Sequence, residues 1–79
     1  MTTVRINDRD VDLPEPATVV DAVAHTTGRE LTAAGVPADG GRLGVAVALE
    51  GEVVPRSRWA ATELVAGHQL EIVTAVQGG

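Results

Sequence analysis

The core of this chain has to be built almost without aromatic rings. Trp59 is the single aromatic residue among 79, and there is no Phe or Tyr. There is also no cysteine. Neither a disulfide nor a cysteine-based zinc site can therefore staple a domain of a size that often needs one. What is left is Val, Leu, Ile and Ala, within a hydrophobic content of 44%. One small domain spanning residues 1–79 fits this length, and two do not. The same features exclude functions. A chain with one aromatic residue offers almost no stacking platform for bases. Eleven acids against six bases, for a net charge of -5, argue against a nucleic-acid partner. All the basic residues are arginine, so Schiff-base lysine chemistry and a P-loop lysine are absent. No apolar run approaches the roughly 20 residues of a membrane span. The opening Met1-Thr2-Thr3-Val4-Arg5 has no signal-peptide pattern. A cytoplasmic location, away from membranes, is the expectation.

Periodicity supplies the elements. Val4 and Ile6 alternate with Thr3 and Arg5 in a half-buried strand. Asn7 to Asp10 is turn chemistry, and Val11 and Leu13 alternate with Asp10 and Asp12 to complete a hairpin. Pro14 and Pro16 stop pairing. Thr18 reads as a helix N-cap, with Asp21 in the capping-box position and Gly28 as the C-terminal stop. A helix is expected over Thr18–Thr27, and a further helical turn over Glu30–Ala34. Gly35, Pro37, Gly40 and Gly41 mark a long loop. Gly44–Leu49 is a strand with Val45, Val47 and Leu49 on one face. Ala46 and Ala48 on the other are small enough to pack beneath a helix. Glu50-Gly51 turns the chain into a short return strand that Pro55 ends, and Ser57 can cap a turn through Ala60. Gln69–Val76 is the last strand. Leu70, Ile72, Thr74 and Val76 on one side and Val73 and Ala75 on the other predict a central position. The order β-β-α-β-β-β implies an α+β fold, one sheet over one helix.

Few residues carry chemistry. Ser57 is the lone serine, and His25 and His68 are the two histidines. They lie in no G-x-S-x-G context and at no metal-ligand spacing, so a capping serine and solvated histidines are the expectation. Asp10 with Asp12 and Glu50 with Glu52 alternate with strand residues, as a solvated face does. The glycines at 40, 41 and 44 lack the Lys-Ser/Thr ending of a phosphate loop.

The end of the sequence is more informative. Gly78-Gly79 follows directly on a strand. One reading is a frayed terminus. The other is functional: without Cβ atoms a Gly-Gly tail is thin, adopts extended conformations closed to other residues, and can thread a narrow channel. Its α-carboxylate is a poor acyl donor until it is coupled to AMP. The resulting mixed anhydride is open to a sulfur or nitrogen nucleophile.

Val53-Val54-Pro55-Arg56, followed by Trp59-Ala60, and the run Leu70-Glu71-Ile72-Val73-Thr74-Ala75-Val76-Gln77-Gly78-Gly79 carry a resemblance. The chain resembles the ThiS family of sulfur carrier proteins of thiamine thiazole synthesis, most strongly over Val45–Gly79. The pattern VPR-x-x-W-A followed by a terminal strand and tail is the family's. Departures are Glu50-Gly51 where Asn is frequent, Ala66-Gly67-His68 where an Asp-Gly-Asp-like turn is usual, and a longer segment from Gly28 to Leu43. The resemblance implies a ubiquitin-like β-grasp fold, a mixed sheet of about four to five strands on one main helix, with a flexible tail over about 75–79. It implies that the protein binds no cofactor and is no enzyme. An E1-like adenylyltransferase would use ATP to adenylate Gly79. A sulfur donor such as a cysteine desulfurase would supply the sulfur of a thiocarboxylate, and thiazole synthase would accept it. Gly79 would be the covalent carrier, presented by Gly78, Gln77 and Val76. Lacking cysteine, the chain would have to carry sulfur on that carboxylate. Trp59, Arg56 and Arg58 are candidate partner contacts, since Trp and Arg are enriched at interface hot spots. The alternative is a Trp59 that fills the core edge under its arginines. Other readings of the tail are a molybdopterin-type sulfur carrier, which the VPR-x-x-W-A segment disfavours, and a ubiquitin-like protein modifier. A non-covalent β-grasp binding module is a further one.

Overall fold

Two hairpins and one helix account for most of the computed structural model, which describes residues 1–28, 30–32, 37–38 and 44–74. Strands β1 (Thr2–Ile6) and β2 (Arg9–Leu13) form the first hairpin, in register from Thr2 opposite Leu13 to Ile6 opposite Arg9. Both turn residues have positive φ, 51° at Asn7 and 67° at Asp8. This is the primed turn whose twist suits a two-residue hairpin, and Asn and Asp tolerate it. Strands β4 (Val45–Leu49) and β5 (Glu52–Val53) form the second hairpin. Its turn is built alike, with φ 50° at Glu50 and 84° at Gly51. The last described strand, β7 (Gln69–Thr74), lies between the hairpins, parallel to β1 and antiparallel to β4. The sheet order is β2-β1-β7-β4-β5. The expected central place of the final strand is found.

Helix α1 (Val19–Thr27) begins where its caps predict. The Asp21 carboxylate accepts the Thr18 backbone N–H at 2.8 Å, and Gly28 ends the helix in the left-handed region at φ 71°. Val19, Ala22 and Val23 are the buried face of the helix. Opposite them stand Val4, Ile6, Leu13, Val47, Leu70 and Ile72 from the sheet, with Trp59 and Leu64 closing the core. Each fully buried Val or Leu contributes about 1.5–3 kcal/mol, so a core of aliphatic side chains suffices for this fold.

Three expectations need correction. A second, two-stranded sheet pairs β3 (Ala17–Thr18) with β6 (Glu63–Leu64). It was invisible in the sequence because two residues carry no period. Leu31 pairs with Pro37 in an isolated bridge instead of lying in a helical turn. Ala46 and Ala48 do not pack beneath the helix. Ala46 lies opposite Val73, and Ala48 opposite Glu71 and Val53, on the outer face. That face carries Val73 at 61% and Val53 at 78% exposure, so β7 is central in the sheet but covered on one side. Ala75 and Val76, read as the end of the last strand, lie outside the described residues.

The cap makes a measurable claim. Asp21→Ala should lower the urea-unfolding free energy by about 1 kcal/mol, because it removes both the Thr18 acceptor and the first-turn carboxylate. Asp21→Asn, which retains an acceptor, should recover most of that loss.

Candidate functional site

The proposed carrier residues Val76, Gln77, Gly78 and Gly79 lie outside the described residues. What is described is the strand that leads to them. On one edge β7 pairs with the whole of β4, from Leu49 opposite Leu70 to Val45 opposite Thr74. On the other edge the Arg5 N–H donates to the His68 carbonyl at 2.8 Å and the Asn7 N–H to the Leu70 carbonyl at 3.0 Å. Beyond that point the Asn7 side chain makes two hydrogen bonds with the backbone of Ile72. The start of β7 is held from the second hairpin turn. The Glu50 N–H donates to the Gln69 carbonyl at 2.9 Å, and the Glu50 carboxylate accepts the Gln69 N–H at 2.7 Å. One residue from each primed turn thus grips the strand.

The VPR-x-x-W-A segment is a structural seat. Pro55 precedes a 3-10 turn over Arg56–Arg58, which delivers Trp59 into the core at 1% exposure. The indole N–H donates to the Val54 carbonyl at 2.9 Å, so the one polar atom of the ring is satisfied inside. The Arg56 guanidinium carbon lies 5.3 Å from the centre of the ring, within cation–π range. The turn is closed by Thr62, whose hydroxyl donates to the Arg58 carbonyl at 2.7 Å. The Thr62 carbonyl accepts the Val19 N–H at 3.1 Å, which ties this segment to the first residue of the helix. Trp59 as a direct partner contact is therefore corrected: burial removes its ring from the surface. Of the three candidates, Arg58 is exposed and Arg56 half-buried.

The residues weighed for other chemistry stay apart. Ser57 lies on the exposed 3-10 turn and His25 on the exposed last turn of α1. The His68 Nδ1 accepts the Val65 N–H at 3.1 Å, which is a turn contact. Among the described residues no group of three or more His, Asp or Glu side chains is placed to hold a metal ion. Asp10, Asp12, Glu50 and Glu52 are exposed, as the alternation predicted. No helix among the described residues is long and apolar enough to cross a membrane.

Comparison with known proteins agrees with this frame. The family model described as "ThiS family" matches residues 2–79. The chain belongs to the ThiS family. The match spans both gripped turns, the Trp59 seat and the Gly78-Gly79 end. Among solved structures, the thiamine biosynthesis protein ThiS from Geobacter metallireducens is similar at 21% identity and a TM-score of 0.65. The alignment covers 99% of this chain and 100% of that one. That likeness shows the fold, an α+β β-grasp with a mixed five-stranded sheet and one main helix. No curated protein matches. Membership of the ThiS family supports a sulfur carrier of thiamine biosynthesis that works with partner enzymes.

The sequence reading missed Asn7 and Glu50 as anchors of β7. Its available signal was their place in two hairpin turns, each preceded by alternating apolar residues. The Trp59 seat yields a direct test. Trp59→Ala should destabilise the protein by about 3–5 kcal/mol in urea unfolding followed by far-UV circular dichroism. Arg58→Ala should stay within about 0.5 kcal/mol of the parent.

Proposed function

We propose that this chain carries sulfur for thiamine biosynthesis on the α-carboxylate of Gly79, as a co-substrate of partner enzymes and not as a catalyst. The observation that carries the reading is the family match over residues 2–79, which includes the Gly78-Gly79 pair. It is supported by the anchorage of β7, since the residues that follow this strand in sequence are the proposed carrier residues.

The chemistry follows from the carboxylate. An oxide is a poor leaving group, so direct attack by sulfur on Gly79 is slow. An E1-like adenylyltransferase would let the carboxylate attack the α-phosphorus of ATP, releasing pyrophosphate and leaving an acyl-adenylate. AMP is a good leaving group. The persulfide of a sulfur donor, such as a cysteine desulfurase, would then displace AMP to give an acyl disulfide, and attack of a thiol on its S–S bond would release the thiocarboxylate for thiazole synthase and leave a disulfide behind. ATP belongs to the partner's site. Gly78 would suit a narrow channel because it has no Cβ, with Gln77 and Val76 guiding the tail between β7 and that channel. The chain itself would supply a stable body and the Gly79 carboxylate, working in the cytoplasm where those partners act. Arg58 and Arg56 would be rim contacts, of the kind that influence encounter more than affinity.

Incubation with ATP, a cognate adenylyltransferase and a sulfur donor should yield a species in which one oxygen of Gly79 is replaced by sulfur, read by intact mass. Deleting Gly79 should abolish it. Equal thiolation of a protein ending at Gly78 would refute the assignment. Higher-mass conjugates to lysine in place of the thiolated species would identify a protein modifier instead.

A further inference from the structure

The last part of β7 is held on one edge by a side chain where a strand would be expected. Strand β1 ends at Ile6, opposite Leu70. Beyond Ile6 the chain turns away through Asn7 and Asp8 into β2. No residue of β1 therefore remains to pair with Ile72 on this edge. Asn7 takes that place. Its Nδ2 donates to the Ile72 carbonyl at 3.0 Å, and its Oδ1 accepts the Ile72 N–H at 2.9 Å. A carboxamide offers a donor and an acceptor in one plane, as a peptide group does, so it can stand in for the next rung of the ladder. The position makes a second demand, the positive φ of the turn, which Asn meets at less cost than most residues with a Cβ. One residue thus turns the first hairpin and extends the parallel pairing past its end.

We propose that Asn7 is a positioning residue for carrier activation. By holding Ile72 in register, it fixes the strand from which the following residues bring Gly79 to the adenylating partner. The inference rests on the carrier reading above. With the clasp gone, Ile72 to Thr74 keep their β4 pairing but lose the hold that Asn7 gives on the opposite edge. They can then fray, and each encounter with the partner must order more backbone. Ordering one residue weakens binding on the order of tenfold. Once the tail is seated, the partner's chemistry is unchanged, so the effect falls on KM and not on kcat.

The test uses three variants of the full chain with the adenylyltransferase and ATP, following pyrophosphate release. Asn7→Gly keeps the turn conformation and removes the clasp. Asn7→Asp keeps the acceptor for the Ile72 N–H and loses the donor. Val23→Ala weakens the core from the helix side and leaves the hydrogen bonds of β7 in place. In Asn7→Gly, exchange of the Ile72 amide with deuterium, read by NMR, should be faster on the order of tenfold. Its KM for the carrier should rise on the order of tenfold with kcat within about twofold of the parent. Asn7→Asp should fall between, and Val23→Ala should keep the parent KM. An unchanged KM in Asn7→Gly, with faster Ile72 exchange, overturns the positioning role. So does an equal rise in Val23→Ala, because general stability would then be the cause. If the parent protein itself releases no pyrophosphate, the carrier reading fails first and the inference falls with it.

Discussion

Everything in this fold depends on the last strand being laid into the middle of the sheet. Until β7 arrives, the two hairpins share no edge: β1 and β4 are each paired on one side only, to β2 and β5. β7 satisfies both free edges at once, parallel to β1 and antiparallel to β4. It also brings Leu70 and Ile72 beneath the helix. The N-terminal and C-terminal parts of the described chain thereby share one core. A strand held on both sides is among the least mobile elements of a small domain. The residues that follow it begin from a fixed point, which is what a chain end needs if it is to enter a partner's site.

The scarcity of aromatic residues shapes the rest. Aliphatic side chains fill the sheet–helix interface, and the one large ring joins them in the same core. Trp59 comes from an irregular segment, and it is the largest of the fully buried side chains. Its seat is braced from two directions, by the Val54 carbonyl on the indole N–H and by Thr62, which links the segment to Val19 of the helix. The family pattern around Pro55, Arg56 and Trp59 therefore reads as architecture. Arg56 lies over the ring, and of the motif's charged side chains Arg58 is the more exposed. A motif that looks like an interface in sequence can hold the fold instead, because Trp and Arg are enriched in both settings.

Much of this was legible in the sequence wherever a local signal repeats. Period-two alternation located β1, β2, β4 and β7, and capping chemistry placed α1 to within a residue. The pair β3 and β6 was not legible, since two-residue strands have no period and their partners lie far apart in sequence. The facing of Ala46 and Ala48 was misread for a related reason. Alternation says that the two faces differ, but the side that receives the helix is decided by the larger residues Val45, Val47 and Leu49. Once those enter the core, the alanines turn outward with Val73 and Val53 as a geometric consequence.

The anchoring of β7 shows where such reading ends. Turn propensity by itself already favours Asn7: a left-handed position in a two-residue hairpin suits Asn. Nothing in the local sequence reveals that its carboxamide also completes a ladder 65 residues away. Glu50 is parallel. Its left-handed φ in the second turn looks like a poor choice for a residue with a long side chain, until its carboxylate is seen to accept the Gln69 N–H. Both turns accept a residue other than glycine at a left-handed position, and in both the side chain gained is spent on β7. A glycine would turn either hairpin equally well and would leave the strand less firmly held. The choice of residue at these turns is therefore explained by two demands met at once, the turn it makes and the strand it grips.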